Sequence, residues 1–64
     1  MLKEFVRSDD SATIWINPDH VELVGPSEQG KGTTYIRFRS GAVVVDGNAE
    51  GVVRYLAGEN EIPL

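Results

Sequence analysis

The segment of this chain that most resembles a chemical motif begins at Gly25. Gly25, Gly30 and Lys31 have the spacing of the phosphate-binding loop G-x-x-x-x-G-K-[ST], whose backbone amides hold the phosphates of a nucleotide. That loop requires a hydroxyl-bearing residue directly after the lysine and a helix N-terminus behind it. Here Gly32 follows Lys31, and the residues after Gly32 read as a strand. We therefore interpret the segment as a flexible hairpin loop and expect no nucleotide hydrolysis.

His20 is the one histidine, and histidine is the residue type best suited to proton transfer near neutral pH. As a metal ligand it would need several partners, and the chain has no cysteine to supply them. Asp9 and Asp10 form an acidic pair of the kind that ordinarily shapes a turn. The serines stand in turn-like segments, outside any recognisable nucleophile motif. We therefore expect that the protein is not an enzyme and has no metal and no cofactor.

A set of aromatic and arginine residues is the remaining candidate for function. In the strand pattern described below, its members all point away from the expected core. Such residues together are typical of protein-interaction hot spots, and they can also stack on bases or hold an acidic ligand. A third interpretation is that the sheet curls and buries the aromatic residues as core. The predicted interface or ligand face consists of Phe5, Arg7, Trp15, Tyr35, Arg37 and Arg39.

The scaffold that must position these residues is centred on a β-hairpin. Its first strand alternates in character, with Ile36 and Phe38 facing the core and an arginine between them. Its second strand, Ala42–Val45, is apolar without interruption, which is typical of a strand covered on both faces. Between the strands, Ser40 and Gly41 predict a two-residue turn, because glycine accepts the positive φ that tight hairpin turns require.

Three shorter strands are predicted before the hairpin. Alternation places Ile14 and Ile16 inward and Trp15 outward. In the next strand, Val21 and Leu23 share one side. The connections are short, so neighbouring strands are expected to be antiparallel. The predicted strands are Leu2–Arg7, Ala12–Ile16 and His20–Val24.

A helix over residues 48–57 is predicted after the last strand. Asn48 can cap its first turn, and apolar residues recur behind it on one face. A helix of about ten residues is unstable alone, so it must pack on the sheet. Residues 59–64 are expected to form a flexible tail. The predicted fold is α+β and mostly β: about five short antiparallel strands, as a meander or a partly rolled barrel, followed by one C-terminal helix, in a single domain over residues 1–58.

Length and charge restrict the function further. A chain of 64 residues without cysteine has a thin core and no disulfide to reinforce it, which favours self-association. A net charge of −4 opposes binding to nucleic acid and to anionic membranes. No apolar run could span a bilayer, and the first residues lack the apolar core of a signal peptide. We expect a cytoplasmic homo-oligomer that binds a protein partner, with membrane and nucleic acid both disfavoured.

Three segments share a pattern with a known family. Ile16–Val24 contains a hydrophobic residue followed by Asn-Pro-Asp, Thr34–Gly41 is a strand ending in a glycine turn, and Glu50–Leu56 is a short helix with paired hydrophobic residues. In these features the chain resembles the FlbD/SwrD family of small flagellar and swarming-motility proteins. Pro26–Gly32 and Val43–Asp46 depart from the family pattern. The resemblance implies a non-enzymatic accessory factor that acts by protein contact in flagellar assembly or motor output.

The alternative hypothesis belongs to another functional class. In it, the protein is a phage or bacterial regulator that binds a small anionic ligand or nucleic acid through the aromatic and arginine face. Phosphate contacts weaken steeply with salt, so salt-dependent binding distinguishes the two hypotheses. The residues that would contact the anion are Arg7, Lys31, Arg37 and Arg39.

Overall fold

A computed structural model describes residues 1–58 of the chain. All strand pairings in it are antiparallel: β1 pairs with β2, and β3, β4 and β5 form a three-stranded sheet with β4 in the centre. The predicted fold class, α+β and mostly β, is confirmed. The elements are β1 Lys3–Val6, β2 Thr13–Ile16, a 3₁₀ turn Pro18–His20, β3 Val21–Pro26, β4 Thr33–Phe38, β5 Gly41–Asp46 and α1 Ala49–Leu56.

The two sheets meet at the end of β1. Arg7 forms a single antiparallel bridge with Val45, and the Ser8 amide donates to the Val44 carbonyl at 2.8 Å. The chain after β1 therefore continues alongside β5. In space the strands follow the order β2-β1-β5-β4-β3, which is the order expected of a partly rolled barrel.

The core lies between the two sheets and the helix. Each of β1, β2, β4, β5 and α1 contributes one buried apolar residue to it. The Phe5 ring meets the Tyr55 ring edge to face, with centroids 5.2 Å apart. This contact joins the first strand to the last helix, so the small core includes both ends of the described chain. The buried apolar residues are Phe5, Ile16, Ile36, Val45 and Val52.

The prediction that Phe5 points away from the core is wrong. Phe5 is 6% exposed and lies opposite Ile14 in the β1–β2 register. Alternation alone left the orientation of β1 open, because each of its faces has an apolar residue. The partner strand decides it: Ile14 and Ile16 face inward, so Phe5 and Lys3 opposite them take the inner side of β1.

A β-bulge changes which residues of β3 face the core. The register shifts between Val21 and Leu23, so that Val21 lies opposite Phe38 and Val24 opposite Ile36. Leu23 is thereby turned to the outer surface, where it is 45% exposed. The prediction that Val21 and Leu23 share one side is wrong, because alternation fails across an inserted residue.

The β4–β5 hairpin is confirmed, but its turn lies one residue earlier than predicted. Phe38 pairs with Gly41, so Arg39 and Ser40 form the two-residue loop. Gly41 is the first residue of β5, and neither it nor the loop residues have positive φ. The prediction of a positive φ at Gly41 is therefore wrong.

Helix α1 is confirmed, with ends one residue inside the predicted bounds. The Asn48 side chain caps it by accepting the Gly51 amide at 2.7 Å. Val52 is buried against the core, and Gly58 follows the helix with a φ of 85°, a conformation that glycine adopts readily. The flexible tail predicted at 59–64 lies outside the described residues.

Among residues 1–58, one polar side chain, that of Thr34, is fully buried. Its hydroxyl donates to the Gly47 carbonyl at 2.6 Å. Gly47 has a φ of 114° and turns the chain between β5 and α1, and its amide donates to the Gly32 carbonyl. The central strand is therefore tied directly to the corner from which the helix begins.

Candidate interaction surface

The six residues of the predicted face lie in different environments. Four of them line the walls of two open grooves, one of about 810 Å³ and one of about 370 Å³. We call the larger one the Trp15 groove. Phe5 is in the core, Trp15 and Arg39 line the Trp15 groove, Arg7 and Tyr35 line the smaller groove, and Arg37 is exposed on β4.

The Trp15 groove is formed where several parts of the chain meet, and the first residues of β3 also line it. The other parts include the residues before β1, the end of β2, the 3₁₀ turn and the β4–β5 turn. Its walls combine apolar and aromatic side chains with acidic, basic and imidazole groups, a composition suited to a protein or peptide ligand. Its lining includes Leu2, Trp15, Asp19, His20, Glu22, Phe38 and Arg39.

Trp15 is held at the rim of this groove by the pattern of β2. Ile14 and Ile16 pack on the core side, so Trp15 between them must face outward, and it is 59% exposed. Leu2, in the same groove wall, is 58% exposed, and Val6 on the outer face of β1 is exposed as well. The predicted outward orientation of Trp15 is confirmed. Burial of aromatic side chains contributes a large share of binding free energy at interfaces. We therefore expect a partner that covers this surface to gain most of its affinity from Trp15.

The 3₁₀ turn after β2 positions the polar edge of the groove. The Asn17 side chain accepts the Asp19 amide at 3.0 Å, and the His20 amide donates to the Asn17 carbonyl at 3.0 Å. Pro18 begins the turn with its φ already restricted. Asn17, Pro18 and Asp19 thus lead the chain through one 3₁₀ turn from β2 into β3. Across residues 1–58, no three histidine, cysteine, aspartate or glutamate residues come together as potential metal ligands.

Arg7 is engaged within its own turn. Its Nε donates to Oδ1 of Asp10 at 3.0 Å and its Nη2 to Oδ2 at 2.7 Å, while an oxygen of Asp9 lies 3.4 Å from Nε. The hydrogen bond from Arg7, with a second from the Ala12 amide, lowers the pKa of Asp10 well below its ordinary value. The charge of Arg7 is thus compensated locally, which makes Arg7 a weaker site for an external anion.

The Arg7–Asp10 pair predicts a stability difference that depends on pH. Asp10→Asn is expected to lower the free energy of unfolding at neutral pH, because an amide cannot accept two charge-assisted bonds from Arg7. The pKa of Asp10 is lower in the folded than in the unfolded chain. Its contribution is therefore fully present above the ordinary pKa of 3.8 and is lost as the pH falls below that value.

Urea denaturation followed by circular dichroism at a series of pH values checks this prediction. The gap between the wild type and Asp10→Asn should begin to narrow below about pH 4 and continue to narrow as the pH falls toward the lowered pKa of Asp10 in the folded chain. Asp9→Asn is the matched control, because its carboxylate makes a single longer contact with Arg7. A gap between wild type and Asp10→Asn that stays constant into acid would contradict the role given to the carboxylate.

The outer face of the three-stranded sheet is a second exposed surface. In the register, Arg37 lies between Leu23 and Ala42, and Tyr35 lies opposite Val44. Helix α1 packs on the other side of β3 and β4, against the core. Ala42 is exposed, so the prediction that the last strand is covered on both faces is wrong at its start.

Sequence reasoning did not assign Leu2 and Phe38 to a surface groove. The signal for Leu2 was present, because it shares with Val6 the side of β1 opposite Phe5, and this becomes the outer side once Phe5 is core. For Phe38 alternation gave the core side correctly, and the half-buried ring also reaches the groove because it stands at the end of β4. The sequence suggests His20 only as a base or metal ligand, yet it lines a groove suited to binding.

Comparisons with family models, with curated proteins and with solved structures gave no match for this chain. No helix within residues 1–58 has both the length and the apolar character needed to cross a bilayer. The resemblance to the FlbD/SwrD family stays a prediction. The functional interpretation therefore depends on the geometry of the Trp15 groove.

Proposed function

We propose that this chain is a non-enzymatic protein-interaction factor that binds its partner through the Trp15 groove. The observation that carries the proposal is the 59% exposure of Trp15 at the rim of an open groove of about 810 Å³. Tryptophan is among the residues most enriched at binding hot spots. In so small a domain, leaving the largest apolar side chain outside the core forgoes folding stability. When a partner covers Trp15, the free energy of burying this side chain contributes to the affinity of the complex.

The composition of the groove indicates the kind of partner. Leu2 and Phe38 lie with Trp15 among its apolar contacts. Asp19 and Glu22 add two negative charges to the groove, and Arg39 adds one positive charge. A partner segment with an apolar anchor and a basic residue directed at the two carboxylates matches these features. Electrostatic matching of this kind mainly governs specificity and the association rate.

The biological role that we propose follows the resemblance to the FlbD/SwrD family. It is that of a cytoplasmic accessory factor in flagellar assembly or swarming motility, which also self-associates through its sheet. Support comes from the position of Ile16-Asn17-Pro18-Asp19, the segment in which the resemblance begins. This segment forms the turn at the groove edge directly after Trp15. The family-like pattern and the exposed tryptophan therefore belong to one surface.

Trp15→Ala is expected to abolish function while leaving the fold intact. The side chain contributes little to the core, so the stability change should be small, within about 1 kcal/mol. The measurement is swarming of a host strain that lacks the gene and carries either wild-type or variant protein. Wild type should restore swarming and Trp15→Ala should not.

Leu23→Ala is the matched control, since it removes another exposed apolar side chain from a different outer face. It should restore swarming like the wild type. Normal swarming of the deletion strain would reject the motility role. Full rescue by Trp15→Ala would reject the groove as the binding site.

The alternative role, binding of an anionic ligand or nucleic acid, has weaker support. In its favour, Arg37 and Arg39 form no ion pair with other residues in the described part of the chain. Against it, Arg7 is already paired with Asp10, and the net charge is −4. Binding of single-stranded DNA that weakens steeply with added salt would favour this alternative.

A further inference from the structure

We infer that two copies of this chain pair through the free edge of β2, antiparallel and centred on Ile14, to form a continuous four-stranded sheet. This inference rests on the self-association proposed above and gives it a location and a register. Three observations carry it: the backbone groups at the edge of β2, their symmetry about Ile14, and the apolar surface beside them.

The edge of β2 opposite β1 has no paired strand in the part of the chain that the structure describes. In an antiparallel pair, successive residues direct their backbone groups alternately toward and away from the partner. The Ala12 carbonyl accepts the Arg7 amide at 2.8 Å, so Ala12 faces β1, and by alternation so does Ile14. The N–H and C=O groups of Thr13 and Trp15 therefore point to the free edge.

An independent contact supports this assignment. Glu4 lies opposite Trp15 in the register. The Glu4 amide donates to the Tyr55 hydroxyl at 3.3 Å, toward the helix and away from β2. Glu4 and Trp15 are thus a pair without mutual hydrogen bonds, and the backbone groups of Trp15 face the other way.

In one pairing register, the backbone groups of Thr13 and Trp15 in the two copies bond only to one another. This register sets Thr13 opposite Trp15 of the second copy and Trp15 opposite Thr13, with the two-fold axis at Ile14, and each pair exchanges both of its backbone bonds. A shift in one direction would use Asn17, whose carbonyl already accepts an amide within the 3₁₀ turn. A shift in the other would use Ser11, whose φ of 61° is not extended.

The edge of β3, at the other end of the strand order in residues 1–58, is protected against such pairing. It contains a bulge, a charged residue at Glu22 and a proline at Pro26, all of which discourage strand addition. The β2 strand, Thr-Ile-Trp-Ile, has no charge, proline or bulge. Two copies of a chain with net charge −4 would therefore meet with least repulsion at this uncharged edge.

Pairing at β2 would also cover exposed apolar surface. Trp15 would lie against Thr13 of the second copy on the outer face, as cross-strand neighbours do. A four-residue edge with one tryptophan from each copy falls short of the roughly 1,600 Å² of a standard interface. We therefore expect a weak dimer, with a dissociation constant on the order of 10–100 μM.

Sedimentation velocity of the full chain, from about 5 μM to about 1 mM, brackets that dissociation constant. The wild type should move from monomer to dimer across the range. Thr13→Pro should weaken the dimer at least about tenfold, because it removes an edge amide from each copy. Proline is tolerated where the N–H faces solvent at a strand edge, and circular dichroism checks the fold. Thr13→Val keeps the amide and should dimerise like the wild type.

Disulfide trapping tests the register of the dimer. Because the chain has no cysteine of its own, only the introduced thiols can form a disulfide. Chains with Thr13→Cys are mixed with chains with Trp15→Cys and oxidised. The proposed register sets these positions opposite each other, with Cα atoms about 5.5 Å apart, which is within disulfide range. The mixture should form the mixed dimer, and each variant alone should crosslink far less.

A wild type that stays monomeric over the whole range would overturn both the self-association and the edge. A dimer that persists in folded Thr13→Pro, with no mixed disulfide, would overturn the edge inference alone. If Thr13→Pro fails to fold, the disulfide experiment decides. Saturable binding of an added Thr-Ile-Trp-Ile peptide by a strictly monomeric chain would assign the edge to a foreign strand and overturn pairing between copies.

Discussion

Ile36→Ala is expected to leave this protein largely unfolded at room temperature. Ile36 has no exposed surface, and truncation of such a residue costs about 2–5 kcal/mol. A domain of this size without disulfide or metal rarely has more than about 3–5 kcal/mol of stability in total. Loss of the far-ultraviolet circular dichroism signal of the wild type, without added denaturant, is the measurement.

The position of Ile36 makes the upper part of that range the expected one. It stands in the central strand with Val24 on one side and Val43 on the other, both in hydrogen-bonded neighbours. Strands held on both sides cannot close around a missing side chain, so the cavity persists. Leu23→Ala removes the same number of carbon atoms from the adjacent strand, but from a side chain that is 45% exposed.

Leu23→Ala is accordingly expected to cost about 1 kcal/mol or less and to leave a cooperative transition in place. Comparing the two variants shows how much of the loss of stability comes from burial, because both substitutions remove the same number of carbon atoms. Equal destabilisation by both would mean that the bulge in β3 does not hold Leu23 outward as described. A fully folded Ile36→Ala would show that the core can repack.

The core faces of β2 and β4 could be predicted from the sequence because the isoleucines of each strand lie on one side only. Ile14 and Ile16 leave no choice for β2, and this also places Trp15 outside. In β1 both sides have an apolar residue, so the choice of Phe5 as core depended on its register with β2. That pairing is a tertiary property which alternation in one strand does not contain.

The bulge and the pairing of Arg7 show two further limits of sequence reasoning. A bulge adds one residue to one strand, and nothing between Val21 and Leu23 identifies it before the partner strand is known. Arg7 and Asp10 are three residues apart, so their ion pair depends on how the intervening turn folds. The groove could not be predicted, since it joins Leu2, Trp15 and Arg39 from distant parts of the chain.

Thr34→Val is expected to destabilise the protein much more than Thr33→Val. Both threonine hydroxyls donate to a glycine carbonyl at 2.6 Å, Thr34 to Gly47 and Thr33 to Gly30. Valine has nearly the same shape as threonine, so each substitution removes the hydroxyl with little change in packing. Thr34 is fully buried, and losing one partner at such a site costs about 1–3 kcal/mol.

At Thr33 the hydrogen bond is exposed, and water can replace the hydroxyl, so a change within about 0.5 kcal/mol is expected. Urea denaturation of the two variants and the wild type measures the difference. Equal and small effects would mean that water reaches the Gly47 carbonyl once the hydroxyl is gone. A large effect at Thr34 alone would show that this partly buried bond holds the corner between β5 and α1, and with it the helix that closes the core.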